Sequence, residues 1–330
     1  MMKRIEDLWK DIAWREGKGE APRTPLDICP VKLEKRNRVH IIALGDVGRT
    51  VLVGLRLLGA DVISAIGIYD LSADNVSRLE QEMNQIRYPF GTEALPEIVE
   101  IEEAHLFDCD VLIFCASKAV PPVGVGGDVR MAQLEANRQI AMHFGTLAKN
   151  AQFKGMVAIV SDPVDPLCKV FLRSSGLSPG QIRGYGLGVM HARALYYSEK
   201  DSRFFHYEKE GRAFGPHGED LVIADSVAHY DDHLSRDLTR LAVEANLQIR
   251  ERGFKPYIAP ALSSAAISIL LTLRGQWHYS SLYFGDDKNG AFLGIKNRLT
   301  ADGSEYEDVL LCQPLYDRIQ KAYQKLYDLE

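Results

Sequence analysis

Apolar residues in this chain recur at two spacings that take turns along much of its length. "VHIIAL" (39–44), apolar but for His40, reads as a buried strand, "GDVG" as a tight turn, and "RTVLVGLRLLGA" repeats its apolar positions on one helical face until Gly59. "VISAIGIYD" then reads as a second strand ending on Asp70, followed by a helix over 73–86 and the strands "EIVEI" and "DVLIFCA". A helix over 131–150, the strand in "MVAIVSDPVDP" and a helix reaching Gly176 continue the alternation. Strands alternating with helices predict a doubly wound parallel sheet of the Rossmann type, with ligands at the carboxyl ends of its strands.

Beyond Gly184 the alternation loosens into shorter strands and two long helical stretches, 232–252 and 258–273. This predicts an α+β lobe and three units: an arm over 1–38, a dinucleotide-binding domain over 39–183 and a substrate domain over 184–330. In the arm, Ile5, Leu8, Trp9 and Ile12 lie at helical spacing, and Gly17 and Gly19 follow. A helix this short with two tryptophans is expected to bury its apolar face against its own domain or a neighbouring subunit, and we expect a homo-oligomer, dimer or tetramer.

Between "DVLIFCA" and the next helix, "SKAVPPVGVGGDVR" holds two prolines and three glycines, the composition of a mobile loop on the ligand edge. A net charge of −6 with scattered basic residues argues against nucleic-acid and membrane partners. Five cysteines without a C-x-x-C pair indicate neither a disulfide framework nor a zinc site, and no secretion signal or spanning segment is visible. A cytoplasmic protein is the expectation, and no metal is implied.

The turn "ALGDVG" (43–48) follows the logic of a dinucleotide fingerprint, in which glycines let backbone approach a pyrophosphate at a helix amino terminus. Ala43 stands in the first glycine position, leaving Gly45 and Gly48. Asp70 is spaced to accept from an adenosine ribose and to repel a 2′-phosphate, favouring NAD. Asp46 puts a negative charge near the phosphates, which Arg49 is placed to offset. Packing alone would equally explain glycines at such a joint.

In order and spacing, "ALGDVG", "IYD", "GGDVRMAQLEAN", "VSDPVDP", "GVMHARALYY" and "GPHGEDLV" together resemble the lactate and malate dehydrogenase family, from about Val39 to the carboxyl terminus. The resemblance implies hydride transfer between NAD and a small anionic 2-hydroxy or 2-oxo acid, with His217 exchanging the proton and Arg130 polarising the carbonyl. It also implies that Arg193 grips the carboxylate, that Asn137 belongs to the substrate site, and that Gly45, Asp46, Val47, Gly48, Asp70 and Ala116 meet the cofactor.

Three departures change the picture. The family's aspartate three residues before the carboxylate-binding arginine is Met190 here, so His217 loses its usual partner; His191 beside it brings the wrong charge. Asp162 replaces the family's asparagine before the proline and is placed either to pair with His217 or to cap the following helix. Lys255 stands where the family has a small or neutral residue; pointing inward it joins Arg130 and Arg193 at the substrate, pointing outward it has no role there. Two function classes follow: an NAD-dependent 2-hydroxy acid oxidoreductase with altered acid–base support, or a dinucleotide-binding sensor, scaffold or assembly subunit without turnover. A metal-dependent glycosidase on a similar nucleotide fold is a third, for which no Cys/His cluster speaks.

Overall fold

The computed structural model describes residues 2–15, 26–90, 94–118, 129–286 and 289–329; the loop 119–128 lies outside them. After α1 (Asp7–Arg15), the chain runs β1 (Asn37–Ile42), α2 (Asp46–Leu58), β2 (Ile63–Tyr69), α3 (Ala73–Asn84), β3 (Glu97–Glu100), β4 (Val111–Phe114), α4 (Val129–Asn150), β5 (Met156–Ile159), α5 (Val164–Ser175) and β6 (Ile182–Gly184). Then come α6 (Leu187–Lys200), α7 (Tyr207–Glu210), β7 (Arg212–Phe214), β8 (Val222–Ala224), α8 (Asp232–Glu251), α9 (Ile267–Leu273), β9 (His278–Gly285), β10 (Gly290–Thr300), β11 (Gly303–Tyr306) and α10 (Gln313–Asp328). The first six strands are parallel in the order β3-β2-β1-β4-β5-β6. β4 and β5 are buried at every position, as strands covered by helices on both faces must be. Successive connections leave β1 in opposite directions, so a crevice opens at the carboxyl ends of β1 and β4.

The sheet runs on through the boundary expected at Gly184. β9 pairs antiparallel with β6 at Gly184–Ser281, and β10 and β11 extend the same sheet to nine strands. The expectation of shorter strands in this half holds for β7, β8 and β11, with 3, 3 and 4 residues, and is corrected for two others: β10 is 11 residues long and β9 is buried throughout its 8. Polar residues inside these strands hid them from the apolar pattern. Ser280 and Asn297 are buried and bond to each other and to Arg183, so burial does not leave them unsatisfied.

The amino-terminal helix docks on its own chain. Ile5, Leu8, Trp9 and Ile12 share a core with Leu315, Ile319 and Tyr323 of α10 and with Phe284 and Leu293 of the sheet. Trp9 packs its ring 5.9 Å from that of Tyr327, and the main chain of Lys3 pairs with that of Leu311. The premise that these side chains need a neighbouring subunit is therefore removed; Trp14, 80% exposed, stays outside. No described helix is long and apolar enough to cross a membrane.

Trp9→Ala is expected to cost about 3–5 kcal/mol of stability in urea unfolding, the range for emptying an aromatic core position. Light scattering on the same variant should show the assembly state of the wild type.

Candidate active site

At the β1–α2 turn the two glycines serve different ends. A Cβ on Gly48 would collide with the Ala43 carbonyl oxygen, so Gly48 permits helix and strand to touch; a Cβ on Gly45 would meet nothing within 4 Å, so that side is open. Gly45 is the N-cap of α2 and supplies no side chain to its amide groups, which leaves their positive end available to an anion. Asp70 closes the turn from the end of β2. Its carboxylate accepts from the N–H groups of Leu44 at 2.6 Å and Ser72 at 3.0 Å, each oxygen keeping a lone pair for a ribose hydroxyl. Val47 packs against the core beside this turn, and Ala116 follows β4, its carbonyl accepting from Ser161 Oγ at 2.7 Å. Open backbone, an uncapped helix and an acid at the next strand's end fit a dinucleotide.

Ala43 takes φ +69°, the left-handed region that favours glycine. Here the alanine in the fingerprint's first position is under backbone strain.

His217 sits in the loop between β7 and β8, its Cβ against Gly186 at the head of α6, where a side chain would crowd it at 3.0 Å. Its Nδ1 lies 3.3 Å from Asp162 Oδ1, with the imidazole 14% exposed and the carboxylate 47%. Pro163, not Asp162, stands at the N-cap of α5. Asn137 fixes this corner. Fully buried, it donates to the Asp162 carbonyl at 2.8 Å and to Ser117 Oγ at 3.1 Å, and accepts from the Lys118 N–H at 2.8 Å. Its amide is spent on tying the ends of β4 and β5 together.

Arg193 projects from α6 toward α8, donating to the Ala242 carbonyl at 3.2 Å and to Asn246 Oδ1. Burial lowers its pKa, and the charges of Tyr197 and Asp162 oppose that shift. Met190, one turn earlier and 2% exposed, lies in an apolar cluster with its sulfur 3.5 Å from Arg193 Nη1. Asn246 went unnoticed in the sequence; the only signal was its place one turn after Ala242 on the same helical face.

The remaining expected residues part company with His217. Lys255 places its ammonium 3.3 Å from Asp46 Oδ2 at the cofactor turn, 82% exposed. Asp46 also pairs with Arg49 at 2.9 Å. Arg130 stands in the first turn of α4, but its side chain lies outside the described residues, as does the loop before it. The expected wrong charge of His191 is corrected: burial, then Arg212 and Lys296, push its pKa down to about 4. The neutral ring bonds Tyr207 Oη at 2.9 Å and lies tilted against that of Tyr279, with centroids 4.4 Å apart.

Residues 37–184 match the family described as lactate/malate dehydrogenase, NAD binding domain. The chain is similar to the L-lactate dehydrogenase of Oceanobacillus iheyensis, 28% identical over 48% of this chain and 47% of that protein. Here the chain matches about half the relative's length. It is also similar to the L-lactate dehydrogenase of Mycoplasma genitalium, 26% identical over 67% of this chain and 70% of the relative. Among solved structures, the malate dehydrogenase of Picrophilus torridus superposes with a TM-score of 0.72 over 88% of this chain and 95% of its own, at 17% identity, and so shares the fold.

Ala43→Gly is expected to raise stability by about 0.5–1.5 kcal/mol by releasing the left-handed strain, read from urea midpoints. A pH dependence follows from His191 and from His278, which burial and then Arg183 push down to about 3. Both are neutral when folded and titrate near 6.5 when unfolded, so the unfolded chain takes up the protons. Stability is full above pH 6.5 and falls toward about 4 for His191 and about 3 for His278, losing about 2 kcal/mol from each by pH 5. Urea unfolding of wild type and His191→Gln at pH 7 and pH 5 should show a shallower loss in the variant.

Proposed function

We propose that this chain, a divergent member of the lactate and malate dehydrogenase family, is an NAD-dependent oxidoreductase of a small 2-hydroxy or 2-oxo acid, with His217 and Asp162 as its proton-exchanging pair. The observation that supports the reading best is the 3.3 Å approach of Asp162 Oδ1 to His217 Nδ1. The acid absent from position 190 is replaced by one at the end of β5.

When bound, NAD supplies the hydride donor or acceptor. The protein's own residues do the rest. Asp162 holds the Nδ1 side of His217, which leaves Nε2 as the nitrogen that gives a proton to a forming alkoxide or takes one from a hydroxyl, and the carboxylate stabilises the imidazolium between those events. Asn137, through the Asp162 carbonyl, is a positioning residue. Arg193, aligned by Asn246 and Ala242, offers its fork to the substrate carboxylate, and Arg130 polarises the reacting carbonyl. Asp70 selects NAD over its 2′-phosphorylated form. Met190, buried and apolar in place of the family acid, favours a second reading, dinucleotide binding without turnover.

Calorimetric titration with NADH and NADPH, then single-turnover mixing with a panel of 2-oxo acids including pyruvate and oxaloacetate, separates the two readings. NADH should bind in preference to NADPH and be oxidised by at least one acid. His217→Ala should abolish turnover, and Asp162→Asn should lower it by about a hundredfold or more with NADH affinity retained. Met190→Asp in the Asp162→Asn background should restore part of that loss. Binding without oxidation across the panel would sink the catalytic reading.

A further inference from the structure

Lys255 takes the outward of its two expected directions, and its neighbours suggest a use. α8 ends in a Schellman turn: the Gly253 N–H donates to the Arg250 carbonyl at 2.9 Å and the Phe254 N–H to the Ile249 carbonyl at 3.2 Å, with Gly253 at φ +83°. After this reversal the chain brings Lys255 within reach of the first turn of α2. There the Lys255 ammonium meets Asp46, the first residue of that helix and the neighbour of Gly45.

We propose that Lys255 is a ligand of the dinucleotide's pyrophosphate, presented to the β1–α2 turn by the second half of the chain; this rests on the NAD-binding reading of that turn. Charge arithmetic supports it. Asp46 alone would repel a pyrophosphate, yet it is held by both Arg49 at 2.9 Å and Lys255 at 3.3 Å. Two cations against one carboxylate leave one net positive charge beside the uncapped amides of α2, whose helix dipole adds a partial charge of the same sign. Asp46 becomes the tether that keeps both cations at the mouth of the site. An ion pair this exposed contributes little to holding the fold, so its value lies in where it places the ammonium. Asp46 adjoins Gly45, where a built Cβ meets nothing within 4 Å and the backbone is open. A lysine fits this role because its long flexible stem lets the ammonium move from the carboxylate to a phosphate oxygen without moving the backbone.

The test is NADH binding by calorimetry to wild type, Lys255→Gln and Lys255→Arg at low and high ionic strength, with ADP and adenosine as truncated probes. At low salt Lys255→Gln should weaken NADH and ADP alike by about three- to tenfold, while adenosine, which has no phosphate, binds as in wild type. High salt should shrink the difference, Lys255→Arg should stay within about twofold of wild type, and all three proteins should melt together. Unchanged NADH affinity in Lys255→Gln, with wild-type binding intact, overturns this proposal alone. So does a loss that adenosine shares or that salt leaves undiminished, or a raised KM for the 2-oxo acid at unchanged NADH affinity. Failure of the wild type to bind NADH overturns the cofactor reading together with it.

Discussion

The two halves of the molecule are joined across a charge buried among neutral oxygens. Arg183 on β6 is fully buried and donates to Ser280 on β9 at 3.3 Å, Asn297 on β10 at 2.5 Å and Ser304 beside it on β11 at 2.5 Å. A single backbone register pair, Gly184 with Ser281, links the parallel strands to the antiparallel ones, so this side-chain clamp fixes their relative position. Burying a guanidinium is costly, and burial lowers its pKa; three oriented acceptors offset that cost only in one arrangement of the strands. Everything beyond β6 inherits this alignment. Gly186 opens α6, Arg193 rides on it, and His217 packs against its first turn.

The parts of the candidate site that could be read from the sequence are local. The β1–α2 turn, Asp70 at the end of β2 and His217 between glycines depend on residues close in sequence, and their chemistry follows from that order. The features that escaped depend on distance. β9 and β10 carry serines and an asparagine whose partners are on neighbouring strands, so no alternation announced them. The apolar face of α1 could be read, but its cover, α10, lies some 300 residues away in sequence. Lys255 was identified as unusual, yet its direction is set by a glycine turn two residues earlier, and a pattern of residue types does not give a direction. The distance from Asp162 to His217 joins residues 55 apart in sequence, which residue order alone does not give.

Position 190 lies on α6, whereas Asp162 follows β5 and has its own carbonyl held by Asn137. Asn137 also takes the Lys118 N–H, the last described stretch before the loop 119–128. The orientation of the imidazole is thus mechanically connected to the base of that loop through one buried amide.

The docking of α1 on α10 carries a consequence for biosynthesis. Trp9 and its apolar neighbours are translated some 300 residues before Leu315, Ile319 and Tyr323, which cover them. Throughout that interval this sticky helix is a nascent segment without its mate, and the core they share closes only once α10 has been made.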